Sequence, residues 1–141
     1  MDTQRPEVRT KPSVSHLGPE SFVSSGARSF FEYRDLGITA ATDGSHTARV
    51  VRAKPGPPVP TGWHFHTCDV QLVFCLRGWE DLAFEDGSVV RIEPGSCINI
   101  PSGYGHSEIG YSEDMEVLVF TQPAVIGTTE IPVPEGCVDY R

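Results

Sequence analysis

The chain has 141 residues, with 11 Lys plus Arg against 19 Asp plus Glu and a formal net charge of −8. That length fits one domain. That charge argues against general nucleic-acid binding, which needs a basic surface to meet phosphates, and against docking on an anionic membrane.

The 14 glycines and 12 prolines are dispersed along the whole chain. A helix interior loses about 1 kcal/mol for a glycine and about 3 for a proline, so long helices are excluded. The first stretch, 1–22, is polar and broken by Pro6, Pro12 and Pro19. It is expected to be a flexible arm, or a strand crossing to a partner. Phe30 to Ile38 is aromatic enough to be an ordered outer strand. His46 to Ala53 reads as a strand, and so does Trp63 to Arg77, the longest stretch free of both Gly and Pro. Glu80 to Phe84 ends at the turn Glu85–Asp86–Gly87–Ser88, Val89 to Ile92 at Glu93–Pro94–Gly95, and Cys97 to Ile100 at Pro101–Ser102–Gly103. Ser112 is a possible helix N-cap, but the alternation through Met115 to Phe120 favours a strand there. Short strands with regular turn signals predict an all-β sandwich or barrel. We place the barrel at 23–122, followed by a Pro-rich tail at 123–141 that packs on its surface.

The longest apolar runs, Leu72–Leu76 and Val117–Phe120, are far short of the ~20 residues needed to span a bilayer. The basic residues of 1–20 precede no apolar segment of the kind a secretory signal needs. The expected location is therefore the cytoplasm. Cys68, Cys75, Cys97 and Cys137 form no C-x-x-C pair, so neither a zinc knuckle nor a thioredoxin-type motif is supported. Cys75 and Cys97 are flanked by apolar residues and are expected to be buried.

Three of the five histidines carry a pattern. His64 and His66 are two apart, and on a strand residues i and i+2 project from one face, so both imidazoles can reach one metal ion. Gln71 follows five residues after His66, room for a tight turn and a return strand that aims its amide oxygen at the same point. His106 ends the turn Pro101–Ser102–Gly103–Tyr104–Gly105. His16 and His46 lie in polar surroundings and are expected to be solvated.

The pattern resembles the two motifs of the cupins. The first, G-x5-H-x-H-x(3,4)-E-x6-G, is met by His64, His66, Gln71 and Gly78, with Pro58 in place of the first glycine. The second, G-x5-P-x-G-x2-H-x3-N, is met by Gly95, Pro101, Gly103 and His106, with Gly110 in place of the asparagine. The resemblance implies a jelly-roll (double-stranded β-helix) barrel with a divalent transition metal in its mouth, held by His64, His66, His106 and Gln71. Gln71 replaces the family's glutamate; it is either a direct ligand or a hydrogen-bonding neighbour. The resemblance also implies a homodimer.

Three histidines and a glutamine are all neutral. Against a carboxylate-containing set, such a site holds metal less tightly and is a stronger Lewis acid toward an anionic ligand. Imidazole and amide donors suit Zn, Fe, Ni, Mn or Cu without choosing among them. The expected ligand is a small anionic or enolisable organic molecule. Two functions stay open: an enzyme, with dioxygenase-like chemistry or Lewis-acid cyclisation, isomerisation or elimination, and a binding module without turnover. Tyr104 and Arg77 are weaker candidates for contact with that molecule, and Asp69 for orienting a ligand imidazole or stabilising the turn it occupies. Strand parity places Val73, Cys75 and Arg77 inside with Gln71. It turns Leu72, Phe74, Leu76, Trp63 and Phe65 outward, an apolar face expected to be covered partly by a partner chain.

Overall fold

A computed structural model describes residues 3–141; Met1 and Asp2 of the expected arm lie outside the described residues. Ten strands form two antiparallel five-stranded sheets. They are β1 (Phe31–Asp35), β2 (Thr47–Ala53), β3 (His64–Thr67), β4 (Val70–Arg77), β5 (Glu80–Phe84), β6 (Val89–Ile92), β7 (Cys97–Asn99), β8 (His106–Tyr111), β9 (Glu116–Gln122) and β10 (Gly127–Glu130). One sheet runs β1-β2-β9-β4-β7 and the other β10-β3-β8-β5-β6. A single helical turn, α1 (Ile38–Ala41), joins β1 to β2.

The turn glycines explain several boundaries. Gly78 sits at φ 65° between β4 and β5, where a Cβ would strike the Ser112 hydroxyl. Gly103 takes φ 80° in the turn that delivers β8. Left-handed backbone of this kind costs a side-chain-bearing residue energy and glycine none.

The sheet of β4 is layered along its strands. Cα register aligns Thr47, Thr121 and Gln71 in one inward layer, Arg49, Val119 and Val73 in the next, and Val51, Val117 and Cys75 in the third. Polar side chains thus occupy one end of the barrel interior and apolar ones the other. Cys75, Leu82 and Met115 have no exposed surface, and Ile92 and Ile100 are buried with them.

The expectations for the Trp63–Arg77 stretch, for Arg77, for Cys97 and for Trp63 are corrected here. Trp63 to Arg77 is not one strand or a hairpin: β3 and β4 belong to different sheets, and Cys68 and Asp69 carry the chain across. A bulge between Cys75 and Arg77 breaks the alternation, so Arg77 leaves the barrel and lies exposed, 3.9 Å from Asp114. Cys97, on the short edge strand β7, is exposed, while Cys75 is buried. Trp63 is covered by the chain itself, its Nε1 donating to the Val138 carbonyl at 3.0 Å. Residues 3–22 form no helix or strand but touch the barrel, where Arg34 donates to the Ser15 carbonyl and Arg52 stacks on Phe22. Within 123–141, β10 pairs with β3, and Arg141 donates to the Thr61 carbonyl at 2.6 Å.

Candidate metal centre

β3 and β8 pair at a single point, His64 opposite His106. With His66 two residues along β3, the three rings meet at centroid separations of 4.4, 4.9 and 5.2 Å. One nitrogen from each lies within 4.8 Å of the others.

Hydrogen bonds fix which nitrogen faces inward. His64 Nδ1 donates to the Gly62 carbonyl at 2.8 Å, and His106 Nδ1 donates to the Tyr104 carbonyl at 2.9 Å. A carbonyl has no proton to give, so each Nδ1 carries one and each Nε2 presents a bare lone pair. His66 Nδ1 lies 2.9 Å from Thr128 Oγ1 of β10. Backing of this type sets a ligand imidazole's tautomer and direction. Asp69 backs none of them.

The lone pairs have no donor to meet. His106 Nε2 and the Gln71 amide oxygen are buried without a hydrogen-bond partner. His64 Nε2 faces a carboxylate oxygen of Glu108 at 3.6 Å, too long for a hydrogen bond. Unpaired acceptors in a buried site cost energy, and a cation is the species that the clustered nitrogens of His64, His66 and His106 can share. The donor set therefore fits a divalent transition ion.

Glu108 was not singled out from the sequence, although His106-x-Glu108 has the same i, i+2 spacing as His64-x-His66. Its presence corrects the expectation of a wholly neutral site. Thr61 donates to its carboxylate at 2.6 Å. Burial raises the Glu108 pKa, but His106, His64 and the Thr61 hydrogen bond outweigh burial, and the net shift is downward. Glu80 is the second carboxyl in the cavity and is buried. Burial raises its pKa well above the usual range, with repulsion from Glu108 and then Asp81 adding to it. The two carboxyls are thus pushed apart, one toward the ionised form and one toward the neutral acid. For His66, burial and then the neighbouring His64 and His106 lower the pKa to about 4. Burial likewise lowers that of His64.

Gln71, His66, Glu80 and Glu108 line one cavity of about 90 Å³. Tyr104 is not among its walls: its ring packs on Phe84, and Asp86 and Glu85 neighbour its hydroxyl. Its backbone carbonyl, holding His106, is what serves the site. His46 stands apart, with Ser45 on its Nδ1 and its ring against Phe120.

Solved structures share this architecture. The polyketide cyclase RemF from Streptomyces resistomycificus superposes with a TM-score of 0.67 at 20% identity, over 87% of this chain and 89% of that one. KdgF from a Halomonas species gives 0.64 at 15%, over 82% and 96%. Ectoine synthase from P. lautus gives 0.59 at 15%, over 89% and 96%. The fold is that of the cupins. At these identities the likeness establishes the architecture alone. No protein-family model matches the chain, and no curated protein matches its sequence. The cupin barrel accounts for the meeting of β3, β4 and β8, from distant points in the chain, at one end of the interior. No helix among the described residues is long and apolar enough to cross a membrane.

Proposed function

We propose that this cupin is a metal-dependent enzyme acting on a small enolisable organic molecule. His64, His66, His106 and Gln71 hold one divalent ion of the Zn, Fe, Ni or Mn type. The observation that carries this reading is the meeting of three imidazoles, one nitrogen of each within 4.8 Å of the others, with backbone carbonyls behind His64 and His106 and no hydrogen-bond partner for His106 Nε2. Bound there, the ion supplies Lewis-acid polarisation of a carbonyl oxygen. The chain's own residues supply the proton handling. Glu108, held by Thr61 beside His64, takes a proton from carbon. Glu80, in the same cavity, carries a proton it can return. Val51, Val73, Val117 and Val119 keep the rest of the cavity dry.

This acid–base pair favours cyclisation, isomerisation or elimination over dioxygenase chemistry. The polyketide cyclase among the similar folds supports ring closure as the first of these to test. Deuterium wash-in from heavy water into acetylacetone, followed by NMR without oxygen, tests the reading. The metal-loaded chain is expected to accelerate exchange, and Glu108→Gln to lose roughly 100-fold or more of that rate while keeping its metal. Equal exchange in the variant contradicts the role of Glu108. Metal retained with no acceleration at all favours the alternative of a binding module.

We also read the chain as a cytoplasmic homodimer. Four unpaired thiols support a reducing compartment. Leu76 and the β6 residues Val89 and Val90 leave apolar surface at the sheet margins, which supports a covering partner.

A further inference from the structure

The cavity also carries positive charge. Arg49 projects inward from β2, one layer deeper than Gln71 and two strands away from it. Two strand spacings place the two backbones roughly 10 Å apart across the sheet. Arg28, from the loop before β1, lines the same cavity. Among the described residues neither guanidinium lies within 4.0 Å of a carboxylate, whereas Arg52 and Arg91 each have one at under 3 Å. Arg49 Nε is buried without a hydrogen-bond partner. Its guanidinium stands 5.6 Å from the centre of the Tyr33 ring. The Tyr33 hydroxyl accepts from the Arg28 backbone N–H at 2.9 Å, which leaves its own proton free to donate. A buried cation without a counter-charge is costly. Here two half-buried guanidiniums and a free hydroxyl proton line an open cavity shared with Phe31, Val51, Val73, Val117 and Val119, and with the carboxyls Glu80 and Glu108.

The geometry points to a carboxylate-binding site formed by Arg49, Arg28 and the Tyr33 hydroxyl in the cavity that His66 also lines. The substrate is then a small monocarboxylate with an apolar body, its charged end at the arginines and its reacting end at the metal centre. A guanidinium fork matches a carboxylate in shape as well as charge. This also reassigns the anion expected from the sequence: Glu108 already supplies negative charge beside the histidines, and the guanidiniums of Arg28 and Arg49, which have no carboxylate within 4.0 Å among the described residues, are the groups left to receive it. The inference names the substrate class for the enzymatic reading above and rests on it for the reaction, but carboxylate binding itself does not require the metal.

Isothermal titration of the full chain with benzoate, and with benzamide as its uncharged isostere, tests the site with metal present and after chelation. Benzoate is expected to bind in both states and benzamide at least tenfold more weakly. Arg49→Gln is expected to weaken benzoate at least tenfold, and Arg49→Lys less. Circular dichroism checks that both variants fold, and Tyr33→Phe, expected to weaken benzoate by a smaller factor, provides a second route if they do not. Equal benzoate affinity in wild type and Arg49→Gln, no binding at millimolar benzoate, or binding that vanishes on chelation would each overturn the proposal. Loss of the metal reading with benzoate still held by Arg49 would sink the enzyme and leave the anion site. Metal bound with benzoate indifferent to Arg49 would do the reverse.

Discussion

His66 is held on one side by Thr128 and crowded on the other by two imidazoles, and both its burial and those neighbours disfavour its proton. An unfolded histidine takes up a proton near pH 6.5, whereas folded His66 resists until about pH 4. Between those values the unfolded chain binds more protons than the folded one, so stability falls as the pH drops through that window. It is fully present above about pH 6.5. The metal-free chain is therefore expected to lose melting temperature from pH 6.5 to pH 4 more steeply than its His66→Gln variant, measured by differential scanning calorimetry. Parallel pH profiles for the two proteins would contradict the burial argument. The same shift keeps His66 neutral at pH 7, the form that can ligate. Around it, the residue identities divide plainly. His64 and His66 were legible because ligand spacing is local on a strand, and His106 because Gly95, Pro101 and Gly103 precede it at the spacings of the second cupin motif. Glu108 obeys the same spacing from His106, but a carboxylate near a histidine is common, and its place beside His64 appears only when β8 is laid beside β3. Arg49 was hidden for a similar reason: the layer that turns it inward is defined by β9, a strand 67 residues further on.

At the scale of elements, β10 does more than close a sheet edge. Its four residues pair with the whole of β3, Gly127 through Glu130 against Thr67 through His64, and bring Thr128 to His66. Thr128→Val removes that hydroxyl while keeping the β-branched shape. It is expected to weaken metal affinity by about 10–100-fold, the usual cost of losing support behind a ligand histidine, with little change in melting temperature. Competition with a chelating dye measures it; unchanged affinity would show that β10 does not position the ring. This element was not legible in the sequence, because Gly127–Thr128–Thr129–Glu130 has no apolar alternation and sits in a Pro-rich stretch. β8 was missed for a related reason: His106 to Tyr111 alternates polar groups that face the site rather than apolar ones that face a core. β5, which is largely buried, and β6, whose Ile92 alone is buried, match their sequence bounds residue for residue. The bulge after Cys75 broke the parity that had carried Arg77 inward, since a single extra residue reverses every side chain beyond it.

Across the whole molecule, one barrel carries two interiors. Leu82, Ile92, Ile100 and Met115 pack one part, and a charged cavity lined by His66, Glu80, Glu108, Arg28 and Arg49 occupies another. The division lets the apolar part stabilise the fold while the other holds buried polar groups in place. Leu82→Ala, far from the charged groups in function but central to the packing, is expected to cost about 2–5 kcal/mol in denaturant unfolding; a loss under 1 kcal/mol would mean that the core does not carry the barrel. Outside, the chain covers its own β3 face with its C-terminus, while Leu76, Val89 and Val90 remain exposed. Light scattering is expected to return the mass of two chains, and a one-chain mass at micromolar concentration would leave that surface unexplained. The central claim is that His64, His66 and His106 share one ion. Elemental analysis of the purified chain after loading with Zn, Fe, Ni or Mn tests it most directly: one tightly held ion per chain in the wild type, and none in a folded His106→Ala variant, is the expected result, whereas substoichiometric metal under every loading condition, or equal metal in the variant, would contradict it.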